Sequence, residues 1–144
     1  MSGAGFALDS RLAADTLALG DLSLCRALLM NDARWPWLIL VPRRAGVREL
    51  IELPDTDRHT LIEEISLASR ALQTLFSPDK LNVAALGNVV EQLHIHIIAR
   101  RRDDPAWPAP VWGFQPERRV APSPQDTRIA QLRQALGLPA AAGG

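Results

Sequence analysis

The stretch Gln92-Leu93-His94-Ile95-His96-Ile97-Ile98 decides how this chain is read. Alternate side chains of an extended strand point to opposite faces. Read as a strand, the stretch sets Gln92, His94 and His96 on one face and Leu93, Ile95 and Ile97 on the other. Imidazole is the one common side chain that ordinarily titrates near neutral pH. Two of them stand here about 7 Å apart, beside an amide that cannot titrate. One face is therefore equipped for chemistry while the other anchors it in a core.

Working outward, Leu81 to Leu86 reads as a preceding strand, Gly87-Asn88 as a turn, and Gln92 to Arg100 as the histidine strand. Pro54-Asp55-Thr56-Asp57 is a helix start, with acidic residues where the helix dipole favours them. Leu61, Ile62, Ile65, Ala68, Leu72, Leu75 and Phe76 then recur at helical spacing. Ser77-Pro78 ends the helix, because proline cannot continue the hydrogen-bond ladder. Earlier, Leu17 to Leu22, Leu24 to Met30 and Trp35 to Val41 read as strands. Asn31 to Arg34 forms one turn, and the basic run Pro42-Arg43-Arg44-Ala45-Gly46 another. A strand cluster, one long helix and a further strand pair give an α+β fold, an antiparallel sheet with helical cover.

After Arg102 the composition changes. Pro105, Pro108, Pro110, Pro116, Pro122 and Pro124 are interleaved with Trp107, Trp112 and Phe114. Such a segment is extended, and its tryptophans need a surface to lie on. Ser123-Pro124 with Asp126 opens a short helix carrying Ile129, Leu132 and Leu136, closed by Gly137 and Pro139. The expected organisation is a domain over residues 1–116 and a C-terminal extension over 117–144 in the same structural unit.

The chain has 144 residues, enough for one core. Sixteen basic residues balance sixteen acidic ones, and the pI is near 6.8. No global field draws the chain to nucleic acid or to an anionic membrane. The single cysteine, Cys25, excludes an intrachain disulfide and a four-cysteine zinc site. It lies in an apolar run and reads as a small core residue. No apolar run is long enough to span a bilayer. The start of the chain lacks a signal-peptide pattern, so a cytoplasmic location is expected.

A neutral imidazole can attack an electrophile through one nitrogen while an acceptor holds its other N–H. A second imidazole can bind or protonate an oxygen on the same centre. Phosphorus suits both roles, and backbone N–H groups of Gly87-Asn88-Val89 can serve phosphoryl oxygens. This scheme needs no metal or other cofactor. A metal site is the rival reading, because His-x-His on a strand is also a ligand pair. Its third ligand would have to be His59, which falls in the first helical turn and reads as a surface residue.

The segment from Gly87 through Gln92-Leu93-His94-Ile95-His96-Ile97-Ile98 to Arg100 resembles the signature of the histidine-triad (HIT) superfamily, His-φ-His-φ-His-φ-φ with φ apolar. Leu29-Met30-Asn31-Asp32 through Trp37-Leu38-Ile39-Leu40-Val41-Pro42-Arg43 resembles the family's nucleotide-side strand pair. The likeness spans roughly residues 22 to 112. It implies a nucleotide hydrolase or nucleotidyl transferase acting at an α-phosphorus, on a phosphoramidate or a dinucleoside polyphosphate. By resemblance His94 is the nucleophile and His96 contacts phosphate or leaving-group oxygens. Asn31 holds the ribose and Asn88 the phosphate or leaving group. The partner is then a purine nucleotide or its conjugate, and the assembly a homodimer with a shared sheet.

Two departures stand out. Gln92 occupies the first triad position, and a histidine that many members carry after the basic turn, around Ala45, is missing. Both touch the support around the nucleophile, so activity is expected to survive with altered rate, pH profile or substrate choice. The alternative is a binding protein that kept the pocket and lost turnover. Arg43-Arg44 and Arg100-Arg101-Arg102 read as solvated or loop-capping charges. Trp107 and Trp112 have the rings to stack on a base or line the leaving-group pocket, but Trp112 is expected to anchor the proline-rich segment. Glu91, adjacent to Gln92, points away from the histidine face.

Overall fold

The structure is a computed structural model that describes residues 5–114 and 125–140. A short helix, α1 (Ser10–Asp15), leads into three strands, β1 (Thr16–Asp21), β2 (Cys25–Met30) and β3 (Trp37–Pro42). The long helix α2 (Asp55–Phe76) follows, then β4 (Lys80–Ala84), β5 (Ile95–Arg100) and α3 (Asp126–Ala135). The five strands form one antiparallel sheet in the order β1-β2-β3-β5-β4. The α+β arrangement expected from the sequence is the one observed.

The sheet is covered on both faces, and the strand alternation decides what goes where. Leu38, Leu40, Ile95, Ile97 and Ala99 point to the side packed by Leu61, Ala68 and Leu72 of α2 and Leu132 of α3. Trp37, Ile39, Val41 and Ile98 point to the other side, where Leu12 of α1, Val90, Ala106 and Val111 cover them. His96 lies between Ile95 and Ile97 in β5, so it belongs to this second face. Helix α2 ends at Ser77, whose left-handed φ of 46° turns the chain ahead of Pro78.

The histidine strand is shorter than its sequence pattern. β3 and β5 pair from Trp37↔Ile98 to Leu40↔Ile95 and no further. In that register the next pair would be Val41 with His94, and beyond it Leu93 would meet Pro42, which has no N–H to offer. Leu93 instead donates its N–H to Val47 O at 3.0 Å. Gln92 and His94 therefore precede β5 rather than sit in it. The strand expected to begin at Trp35 begins at Trp37, and the one expected to reach Leu86 ends at Ala84.

A buried carboxylate ties α2 to the sheet. Glu64 accepts the N–H groups of Leu24 and Cys25, both at 2.9 Å, with little exposure. The Cys25 side chain is fully buried beside it, and burial, reinforced by the Glu64 charge, raises the thiol far above its ordinary range. Helix α3 joins the same core: Arg133 donates to Leu19 O and Ala18 O, and Gln125 to Met30 O. The expected domain boundary at residues 116–117 lies outside the described residues. No described helix is long and apolar enough to cross a membrane.

Candidate active site

A cavity of about 410 Å³ opens on the second face of the sheet. His94 and His96 line it, with Asn88, Gly87 and Val89 from the β4–β5 connection and Trp37 and Ile39 from β3. Gly87 adopts a φ of +78°, open to glycine and strained for other residues, and this turn carries Asn88 to the rim.

The histidine rings are 4.9 Å apart between centroids and meet edge to face. Each has one nitrogen assigned by its partner. His94 Nδ1 lies 2.7 Å from Gln92 O. A carbonyl only accepts, so Nδ1 carries the proton and Nε2 keeps a lone pair. Trp37 Nε1–H donates to His96 Nδ1 at 3.0 Å. Indole only donates, so His96 Nδ1 is the bare nitrogen and Nε2 carries the hydrogen. The pair thus offers one nucleophilic nitrogen and one N–H donor. Burial, followed by the neighbouring His94, pushes the His96 pKa down to about 3. At neutral pH His96 donates a hydrogen bond but has no acidic proton to give away.

The segment after β5 supplies the roof. Arg100, buried in β5, donates to both carboxylate oxygens of Asp104, at 2.7 and 3.1 Å, and also to Asn82 Oδ1 and Ala109 O. Burial opposes ionisation of Asp104. The Arg100 bond and the N–H groups of Ala106, Trp107 and Arg101 outweigh it and hold Asp104 at about 2. The pinned segment sets Trp112 edge-on to His96, with centroids 5.1 Å apart, and in the cavity lining. Trp112 therefore walls the site as well as anchoring its segment, where the sequence reading favoured the anchor role. Trp107 lies under the Arg100 guanidinium, 5.5 Å from its centroid.

Of the residues singled out from sequence, the structure brings His94, His96 and Asn88 together. Gln92 reaches the site through its carbonyl. Its side chain turns to the N-terminal segment, accepting Asp9 N–H at 2.8 Å and donating to Ala7 O at 2.9 Å. Asn31 is not among the lining residues. Its Oδ1 accepts a long 3.4 Å bond from Gln125, while its neighbour Met30 does line the cavity. Sequence reasoning missed Arg11, Leu12 and Asp15, which α1 delivers to the lining. Arg11 and Asp15 are spaced i and i+4, but α1 is six residues long and left no periodic signal in the sequence.

The basic runs are committed elsewhere. Arg43 binds the carbonyls of Leu22, Ser23 and Leu24, and Arg44 pairs with Asp57. Glu91 is exposed and pairs with Arg48, and His59 is exposed on α2. No group of three or more His, Cys, Asp or Glu among the described residues is placed to hold a metal.

A HIT domain family model matches residues 11–103. This chain belongs to the HIT family. A solved histidine triad protein from Marinobacter aquaeolei is 51% identical, with a TM-score of 0.89, covering 93% of this chain and 98% of that one. Another from Bradyrhizobium japonicum is 47% identical with a TM-score of 0.89, covering 92% and 99%. A third, from Sinorhizobium meliloti, is 45% identical with a TM-score of 0.87, covering 90% and 96%. No curated protein matches the chain. HIT membership supports nucleotide binding, or nucleotide hydrolase or transferase activity, in general terms.

Proposed function

We propose that this protein is a variant HIT enzyme with Gln92 at the first triad position, and that it hydrolyses or transfers a nucleotide at its α-phosphorus. The complementary hydrogen bonding of the two histidines carries the reading. His94 Nε2 attacks phosphorus as the bond to the leaving-group oxygen breaks and takes the electron pair with it. The nucleotidyl imidazolium keeps its Nδ1–H on Gln92 O, a bond that strengthens as the ring becomes positive. His96 Nε2–H donates to a phosphoryl or leaving-group oxygen. Water then attacks phosphorus, the pair returns to Nε2, a proton leaves to solvent and the nucleoside monophosphate is released.

Asn88 serves the phosphate or leaving group from the rim. For the ribose the proposal is Asn31, next in sequence to the lining residue Met30, with Asp15 as an acceptor already in the lining. The protein works as a homodimer in the cytoplasm, takes a purine nucleotide or conjugate, and needs no resident metal.

The deciding experiment measures monophosphate release from adenosine phosphoramidates and diadenosine polyphosphates, with wild type, His94→Ala and added chelator. Release that survives chelation and disappears in the variant supports the reading. Sensitivity to chelator, or full activity of His94→Ala, overturns it. If wild type binds adenosine monophosphate but releases nothing, it is a binding protein.

A further inference from the structure

The Gln92 side chain does something a histidine in its place cannot. Its Oε1 and Nε2 meet Asp9 N–H and Ala7 O, two backbone groups two residues apart, at 2.8 and 2.9 Å. The amide oxygen and nitrogen lie side by side at one end of the chain, as a strand partner's N–H and C=O do. Imidazole nitrogens diverge around a ring and cannot bridge the same two groups. Asp9 then caps α1, accepting from Arg11 N at 2.8 Å and Leu12 N at 3.4 Å. Helix α1 in turn places Arg11, Leu12 and Asp15 in the cavity lining. A chain of direct contacts therefore runs from Gln92 to Arg11.

Among the described residues lining this cavity, Arg11 is the one arginine or lysine. Three described arginines of the sheet and its turns, Arg43, Arg44 and Arg100, are pinned in ion pairs or on carbonyls. The leaving group sets a second requirement. An amine departs from phosphorus only with a proton, which needs a general acid. A phosphate departs as an anion, which needs a fixed positive charge. Trp37 occupies His96 Nδ1 with a hydrogen bond that favours the neutral ring, and Gln92 does not titrate. Neither residue beside His94 supplies an acid, while Arg11 supplies the charge.

We infer that Gln92 is a latch for the N-terminal wall of the pocket, and that this wall presents Arg11 to an anionic leaving group, so the substrates of this site are nucleotides joined to further phosphate rather than to an amine. The inference rests on the nucleotide reading above and narrows it. Gln92 is a positioning residue here, acting on binding through Arg11 and not as an acid or base.

The test compares wild type, Arg11→Ala, Arg11→Lys, Gln92→Ala and Gln92→His on a diadenosine polyphosphate and an adenosine phosphoramidate. Amide exchange over residues 7–12 is followed in parallel. Wild type is expected to favour the polyphosphate. Arg11→Ala lowers that preference about tenfold, and Arg11→Lys restores most of it. Gln92→Ala and Gln92→His reproduce the loss mainly in KM, speed exchange over residues 7–12 and keep the wild-type pH profile. Equal losses on both substrates, an unchanged preference in Arg11→Ala, or a shifted pH profile without faster exchange would overturn the inference. If wild type shows no turnover, the catalytic reading fails separately. The ratio of adenosine diphosphate to monophosphate affinity then decides: a fall in Arg11→Ala supports the Arg11 assignment, and an unchanged ratio overturns it.

Discussion

Trp37 Nε1–H donates to His96 Nδ1 across 3.0 Å, joining neighbouring strands of the sheet. The indole leaves Nε2 as the nitrogen of His96 that carries the hydrogen and disfavours the imidazolium. Trp37→Phe keeps an aromatic ring and removes the donor. Its kcat should fall about tenfold, in line with loss of one buried hydrogen bond, with little change in KM. The titration of His96, followed by NMR, should rise, while burial and the neighbouring His94 keep it below its ordinary range.

Burial of neutral His96 also makes stability depend on pH. Its pKa falls from an ordinary 6.5 to about 3 on folding. Below the ordinary value the unfolded chain gains a proton that the folded chain refuses. Stability should therefore decline as pH drops from about 6.5 to about 3, by up to about 1.4 kcal/mol per pH unit from this group, and level off below. Denaturant midpoints across that window, for wild type against His96→Gln, test this. An equal decline in the variant would assign the effect to other groups.

The paired side chains of Arg100 and Asp104 are only 2% and 6% exposed. Removing one partner strands the other's charge. Arg100→Met should cost about 3–5 kcal/mol, read from chemical denaturation. It should also loosen the segment that holds Trp112 beside His96, seen as weaker adenosine monophosphate binding at temperatures where the variant remains folded.

Asn31 and Asp15 make competing predictions for the sugar. If Asn31 holds the ribose, Asn31→Ala weakens adenosine monophosphate by roughly tenfold and the 2′-deoxynucleotide by less. If Asp15 serves that function, the same selective loss appears in Asp15→Ala. Calorimetric titration with the two nucleotides separates the residues.

Much of the fold was legible because it follows from periodicity. The i, i+3, i+4 pattern from Leu61 to Phe76 and the alternation through Ile95 to Arg100 each describe one buried face. The placing of His96 on one face of its strand was legible for the same reason. The early end of the β3–β5 ladder was not, since Leu93 turns its N–H to Val47 O, a partner that no local pattern reveals. Nor were the partners of Gln92, which lie 83 and 85 residues away. Arg11 and Asp15 were overlooked because a six-residue helix has too few turns to show a face. Trp112 was read as an anchor because composition indicates that a tryptophan needs cover, and says nothing of what it covers.

Cys25 sits with no solvent exposure at the start of β2, against the carboxylate that clasps α2 to the sheet. A sole thiol sealed at that junction serves as a native gauge of the fold's integrity. An alkylating reagent reaches it only in molecules whose helix and sheet have parted, so its rate of modification counts opening events. Cysteines introduced on the surface can, for the same reason, carry dyes or spin labels while Cys25 stays in place.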